Sequence, residues 1–211
     1  MPELINYTKV RVSGIILFLV CNLIPAIGET EPSDFNRAVN FVKEKHYTKA
    51  ANLFMSLAEQ NDYQAQYNLA LLLRKGLGYP ANYSKALYWV LLAELSGLNK
   101  AVKLREELFG LVPDETADLV RDNISKILQT RIESGERVAI LHKAEFHITV
   151  ASEPDYQTAY ALRALAAALG IKGAIAKRDE IENNLDPEQL MEAQDQAAEM
   201  FENIDWALPE K

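Results

Sequence analysis

The chain has 211 residues, 49% hydrophobic and 25% charged, proportions that suit one compact domain or one short solenoid and argue against disorder. Its 30 acidic and 22 basic residues leave a formal net charge of −8. Such a surface repels phosphate backbones and anionic lipid, so no nucleic-acid partner is expected and no polybasic hold on a membrane.

At the N-terminus, Lys9 and Arg11 precede the apolar run VSGIILFLVCNLIPAIG, and Glu29 opens a polar region. Residues 1–28 read as a secretory signal peptide, with Ala26 and Gly28 as the small residues before a cleavage point near Gly28/Glu29. The mature protein is then periplasmic or secreted, without direct lipid binding. The alternative is an uncleaved inner-membrane anchor over residues 12–28. Cys21 lies inside this segment and is the only cysteine, so a mature chain would hold no disulfide and no cysteine metal site.

After Ser33 the apolar residues fall at three- and four-residue spacing, which predicts helix after helix. The first runs from about Ser33 to Lys43 with Phe35, Ala38, Val39 and Val42 on one face. The second, Tyr47 to Glu59, carries Ala50, Ala51, Phe54, Leu57 and Ala58. The third, Asp62 to Lys75, carries Ala65, Leu69, Leu72 and Leu73 and stops at GLGYP.

The next stretch, NYSKALYWVLLAELSGLNKAVKLREEL from Asn82, returns 73 residues later as DYQTAYALRALAAALGIKGAIAKRDEI from Asp155. Asn82 and Asp155 stand where N-caps are wanted, and Gly97 and Gly170 where a helix ends in a left-handed turn. Ala86/Ala159 and Ala101/Ala174 are kept small, as close-packed helices require. Each copy leads into a proline-led start, VPDE at Val112 and DPEQ at Asp186, the second being a capping-box pattern. The duplication therefore covers about 45 residues. Between the copies, residues 132–152 are predicted as a helix from Glu136 to about Ile148, a degenerate first helix for the second copy. A short extended ending is the alternative, since Phe146, Ile148 and Val150 alternate.

The segment AQYNLALLLRKGLGYPANYSKALYWVLLAELSGLNKA resembles a Sel1-like repeat, a relative of the tetratricopeptide repeat. Ala65, Leu69, Gly76, Gly78, Lys85, Ala86, Trp89, Ala93, Gly97 and Ala101 carry the resemblance; Ala70, Leu73, Tyr79, Asn82 and Glu94 depart from it. Residues 33–60 are similar to a plain tetratricopeptide helix pair. The resemblance implies an all-α, short right-handed solenoid of stacked helix pairs. It divides the chain into that pair, a Sel1-like repeat with following helices (62–131), a linking helix (132–152), a partial second repeat with an acidic capping helix (153–205), and a tail (206–211). It also implies a non-enzymatic extracytoplasmic adaptor or scaffold in a bacterial envelope, binding a protein or peptide partner and needing no cofactor.

Candidate partner-binding residues fall into three groups. Tyr63, Tyr67, Tyr83, Tyr88 and Trp89 surround the best repeat, and aromatics serve as anchors in solenoid grooves. Arg105 and Arg178 recur in both copies together with Glu107 and Glu180, a pattern that local ion pairing also explains. Glu188, Glu192, Asp195, Glu199 and Glu202 make the last helix acidic, either a solvated face or a docking surface for a basic partner. His142 and Glu145, at i and i+3, have a spacing that two metal ligands could use, with His147 pointing elsewhere. The bland alternative, surface histidines, leaves the expectation at no metal and no catalytic residue. An envelope hydrolase or cell-wall enzyme built on His142, Glu145 and His147 is the competing functional reading.

Overall fold

A computed structural model of the chain describes residues 33–203. The expected signal or anchor segment, Asp205 and the tail from residue 206 lie outside the described residues. Among those described, all regular structure is helical: α1 (Asp34–Lys43), α2 (Tyr47–Glu59), α3 (Tyr63–Lys75), α4 (Tyr83–Leu95), α5 (Ala101–Phe109), α6 (Asp114–Glu133), α7 (Val138–Thr149), α8 (Tyr156–Ala168), α9 (Ala174–Glu182) and α10 (Pro187–Asn203).

Several boundaries have a local cause. The Asp62 carboxylate accepts from the backbone N–H of Gln64 and Ala65, both at 2.9 Å, and starts α3. Asn82 caps α4 by accepting from the Lys85 N–H at 2.9 Å, and Asp155 caps α8 from Thr158 at the same distance. At α10 the capping box is complete: Asp186 accepts from Glu188 and Gln189, while the Gln189 side chain accepts from the Asp186 N–H at 3.1 Å. Gly97 and Gly170 take φ of 91° and 72°, as their place after a helix requires.

Consecutive helices pack in pairs, α1 on α2, α3 on α4 and α7 on α8. Within this stack α4 is a hub touching α3, α5 and α6, and α8 is a second hub touching α7, α9 and α10. The region left open as helix or extended ending is the helix α7. It packs on α8 as α3 packs on α4, which is the place of a first helix in the second copy. The structural duplication thus spans four helices per copy, longer than the stretch of about 45 residues over which the two copies align in sequence.

The small residues shared by the copies are contact points. Ala86, Ala159, Ala101 and Ala174 are all fully buried, so each lets a neighbouring helix approach without a cavity or clash. The first core gathers Phe54, Leu69, Leu87, Val90, Leu91, Leu108, Ile124 and Leu128, and Phe146 of α7 and Val150 just after it join it. Ile132, Ile140, Leu162, Leu165 and Ala174 form the next. Ala159, Tyr160, Ile181 and Ala193 close the α8–α10 end. Each fully buried Leu, Ile or Phe contributes about 1.5–3 kcal/mol of transfer free energy.

Candidate functional site

Two open grooves flank α6. The first, about 460 Å³, is lined by Met55 of α2, Ser84, Lys85, Tyr88 and Trp89 of α4, and Leu119, Val120 and Asn123 of α6. Tyr88 and Trp89 meet edge to face with centroids 5.0 Å apart, and burial pushes the Tyr88 phenol up in pKa against the pull of Arg131. Leu119 is 64% exposed at this groove's edge.

The second groove, about 650 Å³, lies between α6, α7, α8 and α10. Ile132, Leu162, Leu165 and Met200 give it an apolar floor; Gln129, Gln196 and Asn203 supply amides, and Glu133, Glu199, Lys143 and His147 the charged and titratable groups. Lys143 donates to the Gln129 side chain, and Gln129 donates to Glu133 at 2.8 Å. Burial lowers the pKa of Lys143 and of His147, opposed by Glu133 and by Asp155 respectively. The His147 Nδ1 is 3.5 Å from the Asp155 carboxylate.

The structure divides the five aromatics. Tyr88 and Trp89 line the first groove, whereas Tyr63, Tyr67 and Tyr83 are not among its lining residues. Tyr67 is half-buried beneath the Lys100 ammonium, 4.5 Å from its ring centroid, and Tyr63 and Tyr83 are exposed.

The repeated arginines do unlike work. Arg105 donates to Glu94 at 2.7 Å and to the Thr149 carbonyl at 3.3 Å, tying α4, α5 and α7 together. Glu107 pairs with Arg74 of α3, not along its own helix. Arg178 pairs with its neighbour Asp179 at 2.6 Å, and that hydrogen bond raises its pKa. Local pairing therefore describes Arg178, while Arg105 is a cross-helix strut.

Along α10, Glu188, Glu192, Asp195, Glu199 and Glu202 are all exposed and recur at steps of four and three, so they form one acidic face. The packed side of the helix carries Leu190, Ala193, Ala197 and Met200. Gln157 of α8 donates to Glu192 at 3.0 Å. Glu199 reaches the second groove, and Glu202 lines a shallow apolar depression with Ala164, Ala168 and Phe201.

The histidine neighbourhood does not converge. His142 and Glu145 both lie toward Lys177, but Glu145 is held by Arg163 at 3.2 Å and Lys177 at 3.7 Å. His147 lines the second groove instead. Burial drives His142 down to about 4, with Arg131 adding to the shift and Glu136 opposing it, so it is neutral at pH 7. Among the described residues no group of three or more His, Cys, Asp or Glu side chains is placed to share a metal ion.

Sequence reasoning missed Arg163, which is only 4% exposed and donates to the Lys177 carbonyl at 2.6 Å as well as to Glu145. The signal was present: Arg163 replaces Val90 of the first copy, a charge standing where the duplication demands a core residue. Also missed was Glu94, whose pKa burial raises, opposed by Arg105 and reinforced by Glu145 and Glu106.

No helix among the described residues is long and apolar enough to cross a membrane. No protein-family model and no curated protein matches the chain. Among solved structures, the chain is similar to c5321, described as a protective antigen present in uropathogenic Escherichia coli strains and displaying an SLR fold. The identity is 19% and the TM-score 0.39, over 82% of this chain and 31% of that one.

Proposed function

We propose that this chain is a non-enzymatic adaptor of the bacterial envelope that binds a protein or peptide partner through its helical surface. The observation that carries the reading is the pair of open grooves on either flank of α6, each combining apolar lining with polar groups. The Sel1-like resemblance implies the same role, and the signal-like segment before Glu29 implies the compartment. The ordered ion pairs around Glu94, Arg105, Glu145 and Arg163 favour a structural use of the buried charge. Arg105, Trp89 and the acidic face of α10 belong to this proposal as support or contact residues; the exposed Tyr63 and Tyr83 and the half-buried Arg178 lie outside the lining of both grooves.

Capture from crosslinked cells tests it, using the tagged protein with its N-terminal segment intact. Wild type is compared with Trp89→Ala and with lysine at Glu188, Glu192, Asp195, Glu199 and Glu202. The reading expects one specific partner, depleted by at least one of the two variants. A partner recovered equally by wild type and by the combined variant contradicts it.

A further inference from the structure

We infer that the groove between α6, α7, α8 and α10 takes an extended cationic peptide segment of the partner, with an apolar side chain set between basic residues. The inference deepens the adaptor reading and rests on it.

The floor is aliphatic, from Ile132, Leu162, Leu165 and Met200, which suits a single apolar anchor. Around it the amides of Gln196 and Asn203 each offer a donor and an acceptor, matching the donor and acceptor groups of an extended backbone, while Gln129 is engaged with Lys143 and Glu133. A volume of about 650 Å³ lies within the range of roughly 300–1,000 Å³ that ligand pockets occupy.

Charge decides the sign. Glu133 and Glu199 are the acids of the lining, and Glu199 has no basic partner among the described residues. Lys143, the lining's lysine, donates to the Gln129 side chain and feels the charge of Glu133, so these two offset each other and Glu199 leaves the lining net negative, with His147 held toward its neutral form by burial. Asp195 and Glu202 continue the negative field along α10 beside Glu199. The groove at Trp89 differs in kind: its lining holds Lys85 and no acid, so a cationic segment is directed away from it. The two grooves thus occupy related places beside hubs α4 and α8 yet select opposite charge.

The test uses the full chain and three fluorescein-labelled nine-residue peptides, read by anisotropy. One has lysines flanking a central leucine, one has glutamates in place of the lysines, and one has serine in place of the leucine. The lysine–leucine peptide is expected to bind about tenfold more tightly than either control and to weaken steeply as salt rises from about 0.05 to 0.3 M. Glu133→Gln with Glu199→Gln is expected to weaken it by about tenfold at unchanged helicity and melting temperature, and Lys85→Glu to leave it alone. A glutamate peptide that binds equally, or a lysine peptide indifferent to the Glu133/Glu199 pair, overturns the inference. If the lysine peptide fails while crosslinked capture still depends on α10, the groove assignment falls and the adaptor reading stands; if both fail, both fall.

Discussion

Gly78 shows how one residue sets the distance between two helices. A Cβ built there would sit 2.5 Å from the Tyr47 carbonyl oxygen and 2.9 Å from the Ala51 Cβ, with φ at +82°. Gly97 has an equally left-handed φ of +91° but open space around it. Gly78→Ala is therefore expected to cost about 2 kcal/mol or more, through overpacking added to backbone strain, and Gly97→Ala about 1 kcal/mol from strain alone. Urea unfolding of the two variants checks the difference; equal losses would show that α2 does not constrain the loop. His142 supplies a second residue-scale prediction. Its folded pKa of about 4 lies below the ordinary 6.5, so the folded state holds fewer protons than the unfolded between those values. Its contribution to stability is present above pH 6.5 and is lost as pH falls toward 4, and His142→Gln should flatten that part of the stability profile. The caps were legible in the sequence because each is a local event: Asn82, Asp155 and Asp186 bond within three residues of themselves. The place of Arg163 was marked by its exchange for Val90, but its pairing was not legible, because its partners Glu145 and Lys177 lie 18 and 14 residues away.

At the scale of the element, the duplicated alanines give the sharpest test. Ala159 on α8 is fully buried in a cluster with Tyr160, Ile181 and Ala193, where α10 docks. Ala159→Leu forces extra methyl groups into that contact and is expected to lower stability by about 1–3 kcal/mol. Thermal unfolding checks it, and an unchanged melting temperature would contradict close packing of α8 against its neighbours. The helices themselves were legible from apolar spacing, and α1, α2 and α3 fall at or within one residue of the expected starts. α7 was only half legible. Its Phe146, with Val150 at its C-terminal cap, turns back to the first core while Ile140 and Ala144 serve the second, so its apolar residues face two ways and blur the helical period. For the same reason the equivalence of α3 and α7, expected from chain order, is seen in the packing and not in matching residues.

For the whole molecule, the grooves arise from the way α6 lies between two hubs. Its N-terminal half, at Leu119, Val120 and Asn123, walls the groove against α4, and its C-terminal half, at Gln129, Ile132 and Glu133, walls the groove against α8. No run of sequence announces such a site, because the second groove draws side chains from four helices spread between Ser125 and Asn203. The aromatic and acidic candidates were legible as types; their assembly into one aromatic groove and one acid-rimmed groove depends on tertiary packing. On the proposed adaptor reading the partner uses this outer surface while the ion pairs between helices stay fixed, so binding should protect the exposed sides of α6, α8 and α10 and leave α5 and α9 unchanged. The most direct measurement is amide hydrogen exchange on the full chain, alone and in complex with the partner recovered by crosslinking. The account predicts slowed exchange in the last two turns of α6 and along α10. Protection confined to α7 around His142 and Glu145, with α6 and α10 unaffected, would contradict it.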